Sequence, residues 1–372
     1  MAQPPQPPDN PDIPDLTLQS WDGIKNVISA ERLGPKDLAA AVNIDLDDAG
    51  QPHRRRGVTQ VATGDFSSLF TSNEGIVYGV KNTQMGIIHP DWSFLSISSG
   101  YTDDPISYVQ IGNNIYFSSR SVSGVIDQAA QKVNPWGSDP DLWLSPVVNP
   151  TATLPAIRGQ LLGRPPLATY LAYLNGRIYL AHGNVVWATE LFLYNYVDRT
   201  KNFWNFEATI TMIGAVTDGL YIGTTEGVWF VSGPFAEAKR VRVMDSGVLP
   251  GSMVYVPSEL ANPPQIGLDV DTPVKVAIMF MTHAGICGGQ DSGVCYNFTE
   301  SKVVFPTAFA STAMFRQQDG MHQYVVVNDS GGTPAANSRI GDYVSATIVR
   351  RGDWGNLGGI LGFHDSFTPT WR

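Results

Sequence analysis

The sequence predicts a mainly β chain of propeller-like architecture, with six or seven blades, carrying a short N-terminal helix and hairpin and a proline-rich arm. Three observations predict it. Five stretches share one pattern of turn residue, apolar pair with Tyr or Cys, polar loop and second apolar strand: Glu74 to Ile88, Gly112 to Ile126, Asn175 to Trp187, Asp218 to Trp229 and Ala284 to Tyr296. A weaker sixth runs from Asp319 to Asn328. Each can form a hairpin whose side chains alternate between two faces.

Spacing is the second observation. Aligned on Tyr78, Tyr116, Tyr179, Tyr221, Cys287 and Tyr324, the copies are separated by 38, 63, 42, 66 and 37 residues. A four-stranded blade takes about 40 to 45 residues, so the short steps hold one blade each and the long ones a blade plus an insertion. One such sheet cannot bury both faces alone, whereas sheets packed around an axis bury them against each other. A β-sandwich built of hairpins is the competing architecture.

Composition is the third. Gly (37) and Pro (26) make up about 17% of the 372 residues, against about 12% in average proteins, which favours turns over helices. Charged residues are 16%, below the usual figure of about 25%. A weakly charged surface of this kind suits one that partners cover. The net charge of −10 argues against a general nucleic-acid binder, which needs excess Lys and Arg to neutralise phosphates. It leaves open DNA as a passenger sliding past a wall that repels it.

Four segments follow in order. Residues 1–18 are a proline-rich extended arm, with six prolines before residue 16 and almost no core-forming side chains. It is either plain disorder or an arm lying on a neighbouring subunit. Residues 19–60 form an attachment segment. Pro35 followed by Lys36 to Ala41 reads as a short helix. Val42, Ile44 and Leu46 alternate as a strand, Asp47 to Gly50 are turn chemistry, and His53 to Val58 return as the partner strand.

Residues 61–350 are the propeller-like body. Its long steps are filled by Gln128 to Pro166, with seven prolines between Pro135 and Pro166, and by Ser246 to Pro273. Tyr343 to Val349 reads as a closing strand, expected near Val42 to Leu46 or the first blade. Residues 351–372 form an irregular tail. The chain has no stretch of 18 apolar residues. Its first residues lack the positive and apolar regions of a secretory leader.

Motifs for catalysis are scarce. Asp45 to Gly50 resembles the start of a calcium loop, but Ala49 and Arg56 stand where ligands are needed. The six histidines have no metal-ligand spacing. Nucleophile-elbow and phosphate-loop motifs are absent from the sequence. Arg351-Gly352-Asp353 matches a cell-adhesion tripeptide, short enough to arise by chance. Asp218, Glu226 and Asp291 lie near blade loops and keep a propeller hydrolase in view, although Asp is also the ordinary turn residue. Phe203-Trp204 keeps a glycan-binding surface in view, against ordinary blade packing. Cys287 and Cys295 share a phase on one hairpin, either as a cross-strand disulfide or as reduced core thiols. Arg54, Arg55 and Arg56 form a basic cluster, either a solvated strand end or a dock for an acidic surface or a phosphate.

The run ISAERLGPKDLAAAVNIDLDDAGQPHRRRGV resembles the opening of virion proteins of tailed bacteriophages. The matching positions are Glu31, Arg32, Leu33, Leu38, Ala41, Asn43, Asp45, Leu46, Asp47, Asp48, Gly50, Arg54, Arg55 and Gly57. Similar proteins include tail nozzle, tail tubular and DNA-stabilising hub proteins. The resemblance implies a non-enzymatic subunit of a homo-oligomeric tail ring in the virion, made in the host cytoplasm. Such a ring extends the DNA conduit and helps retain or deliver the genome. It implies tail or adaptor proteins as partners, DNA as a non-specific passenger, and no cofactor or catalytic residues. Asp47, Asp48, Arg54, Arg55 and Arg56 are then the candidate docking contacts. A tail-tip glycan- or receptor-binding propeller is the alternative, and a propeller glycoside hydrolase a third.

Overall fold

The computed structural model describes residues 21, 23–39, 44–46, 51–54, 62–64, 66–102, 104–137, 162–257, 276–300, 302–305, 307–318, 321–329, 344–350 and 360–362. Among them are six four-stranded antiparallel sheets, each drawn from one continuous stretch of chain. Sheet 1 holds Phe66–Thr71, Val77–Lys81, Gln84–Ile88 and Phe94–Ser99. Sheet 2 holds Ser107–Ile111, Asn114–Ser118, Ser123–Asp127 and Lys132–Asn134. Sheet 3 holds Tyr170–Leu174, Arg177–His182, Val185–Ala188 and Phe203–Asn205. Sheet 4 holds Ile210–Val216, Gly219–Thr224, Val228–Ser232 and Lys239–Met244. Sheet 5 holds Val254–Tyr255, Ile278–Thr282, Gly285–Gly289 and Cys295–Asn297. Sheet 6 holds Ala310–Gln318, Met321–Asp329, Val344–Arg350 and Ile360–Gly362.

Alternation along the central strands decides how the sheets stack. In sheet 2, Ile115 and Phe117 pack with Tyr78 and Val80 of sheet 1, while Tyr116 between them packs with Leu171 and Ile178 of sheet 3. Tyr179 of sheet 3 meets Ile213 and Leu220 of sheet 4. Tyr221 of sheet 4 meets Ile278 and Phe280 of sheet 5. Met279 and Ile286 of sheet 5 meet Tyr324 and Val326 of sheet 6. These five sequential cores, each shared by neighbouring sheets, make the body a β-propeller, because both faces of sheets 2 to 5 are buried against other sheets. Side chains also bond backbone across the seams: Ser68 Oγ accepts from Ile106 N (3.0 Å), and Ser107 Oγ from Leu171 N (2.9 Å).

Sheets 1 to 4 carry their repeat copies on the second and third strands. The fifth copy differs: Gly285–Gly289 and Cys295–Asn297 are the third and fourth strands of sheet 5. Alignment on Cys287 is therefore one strand late. Its side chain faces back toward sheet 4, whereas Tyr78, Tyr116, Tyr179 and Tyr221 face the following sheet. The Gln128 to Pro166 stretch is not wholly insertion, since it contains the outer strand Lys132–Asn134 of sheet 2.

The attachment segment departs from expectation at Pro35. No α-helix begins there. Asp37 N donates to Gly34 O (3.1 Å) and Gly34 N to Asp37 Oδ2 (3.0 Å), so Pro35 occupies a tight turn, a position its fixed φ suits equally well. Asp37–Leu38 then pairs in parallel with Gly23–Ile24. The only helical piece described in this segment is the 3-10 turn Ala30–Arg32. Ile44–Leu46 pairs antiparallel with Pro52–Arg54. Val344–Arg350 pairs within sheet 6, and the strand beside Ile44–Leu46 is the next one, Ile360–Gly362. Residues 1–18 lie outside the described residues, as does most of 351–372. No described helix is long and apolar enough to cross a membrane.

Candidate functional site

Of the five residues expected to dock partners, Arg54 is described; it is exposed at the end of Pro52–Arg54. Asp47, Asp48, Arg55 and Arg56 lie outside the described residues, as does Arg351-Gly352-Asp353. The attachment segment itself is pinned to the body. Asn26 N donates to Lys302 O (3.0 Å), its amide Nδ2 donates to Val304 O (3.0 Å), and its Oδ1 accepts from Val304 N (2.7 Å). One side chain thus satisfies both backbone groups of Val304 in the link from sheet 5 to sheet 6.

The carboxylates do not form a catalytic set. Asp218 precedes Gly219–Thr224 and Glu226 follows it, so the two stand at opposite ends of a six-residue strand. At about 3.3 Å per residue that is on the order of 20 Å, well beyond the 5–9.5 Å or so of glycosidase pairs. Asp291 Oδ1 accepts from Thr217 N at 2.9 Å and serves to tie sheet 5 to sheet 4. Among the described residues no group of three His, Cys, Asp or Glu could hold a metal ion.

Trp204 stacks on Phe235 (4.5 Å) and Tyr179 (5.5 Å), and its Nε1 donates to Phe235 O at 3.3 Å. The indole is a packing element between sheets 3 and 4, leaving only Phe203 exposed to offer a sugar face. Cys287 and Cys295 are free thiols. Their register explains it: Cys287 lies opposite Asn297 and Cys295 opposite Gly289, so the thiols are diagonal rather than facing. Burial pushes Cys287 well up and Cys295 up to about 12.

Two surface features escaped the sequence reading. Leu191, Phe192 and Leu193 form an exposed apolar knuckle, with Phe192 at φ 57° and its N–H donating to Gly176 O at 2.8 Å. Beside it the Tyr173 and Tyr194 hydroxyls meet at 3.4 Å, and that bond, ahead of burial, pushes Tyr194 up to about 12. The second feature is the outer strand of sheet 4, Lys239-Arg240-Val241-Arg242, exposed at all four positions. A search for contiguous basic runs passes over it because Val241 interrupts the charges. Arg240 donates to Asn205 O (3.1 Å) and lies 5.9 Å from the Phe206 ring. Arg242 donates to Glu226 O (2.9 Å) and pairs with Asp245 (2.7 Å).

No family model matches the chain. No curated protein matches it either. Solved structures similar to it include the extracellular domain of a hybrid two-component system from B. thetaiotaomicron, at 11% identity and TM-score 0.44, over 82% of this chain and 39% of that one. The WD40 domain of Neurospora crassa Pan2 is similar at 10% identity and TM-score 0.42, over 82% and 80%. The N-terminal domain of Nup159 is similar at 12% identity and TM-score 0.37, over 83% and 81%. The chain spans 39% and 32% of the first two proteins of this set, an extracellular domain of a one-component system and the secretion component PorZ. At such identities none of these proteins' roles transfers to this chain.

Proposed function

We propose that this chain is a structural subunit of a bacteriophage tail, a nozzle or hub component that assembles as a ring, extends the DNA conduit and helps retain or deliver the genome. The observation that carries the reading is the run from Glu31 to Gly57, which resembles the opening of such virion proteins and precedes a propeller body. The fold is compatible: Asn26 fastens the start of this segment to the seam between sheets 5 and 6, leaving Arg54 exposed. An acidic chain suits a conduit wall, because like charge lets a duplex slide past without sticking.

The competing roles are less well served. A receptor-binding surface built on Phe203-Trp204 loses Trp204 to packing, and a hydrolase built on Asp218 and Glu226 lacks convergence. Mass measurement of the purified chain, with proteomics of purified virions, tests the proposal. A symmetric oligomer present in particles is expected; a stable monomer absent from particles overturns it.

A further inference from the structure

We propose that the basic outer strand of sheet 4 is the docking site for the N-terminal arm of the same chain, held as an acidic strap. The strand is unusual among the outer edges described. Those of sheets 2, 3, 5 and 6 are three residues long, and that of sheet 1, Phe94–Ser99, carries no charge. Lys239–Met244 is six residues long and places three cations in four positions of a chain with net charge −10. Arg242 has Asp245; Lys239 and Arg240 have no carboxylate partner among the described residues. Half-exposed Val241 stands between them. An unpaired strand edge with this profile fits an extended, acidic, partly apolar segment.

The chain supplies one. Residues 8–16 read Pro-Asp-Asn, Pro-Asp-Ile, Pro-Asp-Leu, a threefold triplet repeat, and residues 1–20 contain no Lys or Arg. Polyproline II has three residues per turn. In that conformation Asp9, Asp12 and Asp15 fall on one ridge, which is then acidic, and Asn10, Ile13 and Leu16 on another. Successive Asp carboxylates recur about every 9.3 Å, while Lys239 projects to one face of the strand and Arg240 and Arg242 to the other, so a segment lying along the edge meets cations on both sides.

Reach favours the chain's own arm. The first described residue is Trp21, and Asn26 is fixed to the link leaving sheet 5. Sheet 4 is the other neighbour of sheet 5. Asp15 is six residues before Trp21, about 19 Å of extended chain, and Asp9 about 37 Å; packed sheets lie about 10 Å apart. A short tether of this kind gives an effective concentration in the millimolar range. Charge on an edge strand also discourages sheet-to-sheet aggregation, and a strap covers the same edge while cancelling its charge.

The test is zero-length carbodiimide cross-linking of the full chain, as an equal mixture of 14N- and 15N-labelled protein, read by mass spectrometry. Links from Asp9, Asp12 or Asp15 to the Lys239 amine are expected, isotopically unmixed, and reduced several-fold by 0.5 M salt. R240E/R242E should reduce them as strongly. D9N/D12N/D15N, which alters only the arm and leaves the folded body intact, should abolish them. Absence of arm-to-Lys239 links overturns the proposal, as do links of mixed isotope, which assign the site to a second copy. It also falls if duplex DNA binds the chain through Arg240 and Arg242 while arm links are missing. These outcomes do not depend on whether the chain is found in virions.

Discussion

The Tyr221 hydroxyl donates to the Gln290 carbonyl at 2.7 Å, crossing the seam from sheet 4 to the tip of sheet 5. A second acceptor, Val294 O, lies at 3.0 Å in the same turn. The ring is fully buried, so one side chain both fills the core between two sheets and holds the turn of the next. Tyr221→Phe keeps the packing and removes this donor, while Gln290 O keeps Gly293 N and Val294 O keeps Gln290 N; it is expected to cost about 0.5–1.5 kcal/mol. Urea unfolding should show a lower midpoint with unchanged slope.

Gly289 makes that placement possible. A Cβ there would lie 2.6 Å from Tyr221 Cζ and 3.0 Å from its hydroxyl oxygen. Gly289→Ala therefore overpacks the seam and should destabilise by about 1–3 kcal/mol. Because the clash is with this one ring, Tyr221→Ala combined with Gly289→Ala should cost less than the two single changes added together, by about 0.5–3 kcal/mol in a double-mutant cycle. Additive losses would place the strain elsewhere.

The hairpins of sheets 1 to 4 were legible because each central residue serves one of two cores. Tyr116 faces sheet 3 while Ile115 and Phe117 face sheet 1, which writes alternating bulk into the sequence. Sheet 5 was misread for the opposite reason. Ile278–Thr282 (IMFMT) is buried throughout and shows no polar alternation, so periodicity does not distinguish it from other apolar runs. Pro35 misled because one fixed φ serves both a first helical turn and a tight turn, and the Asp37 carboxylate at Gly34 N decided between them. The site was less legible than the fold. Lys239, Arg240 and Arg242 become one surface only through their place on an outer edge.

The thiols of Cys287 and Cys295 should be protonated and slow to react in the native protein. Burial pushes Cys295 up to about 12, so at pH 8 only about one molecule in 10⁴ carries the thiolate that attacks reagents. Titration with a thiol-specific disulfide reagent should release almost nothing from folded protein within minutes and two equivalents after unfolding. Reductant should leave the unfolding midpoint unchanged. One equivalent or fewer after unfolding without reductant would mean the pair is bridged.

Glu74 offers a stability change with a defined pH sign. Its Oε2 accepts from Gln110 Nε2 (2.8 Å), while Gln110 Oε1 accepts from Asn73 N (2.8 Å), linking the first turn of sheet 1 to the inner strand of sheet 2. The Gln110 bond holds the Glu74 carboxyl below its ordinary value. A lowered native value means the unfolded chain takes up the proton first on acidification. The carboxylate's contribution is therefore present in full above the unfolded carboxylate pKa of about 4.3 and fades as pH falls through the native one. Glu74→Gln should lower the melting temperature slightly at pH 7, and the gap to the parent protein should close between about pH 5 and pH 3. The exposure of Glu74 keeps the effect small and makes it shrink in high salt. A gap that persists at pH 3 would assign the effect to the lost acceptor geometry rather than to the charge.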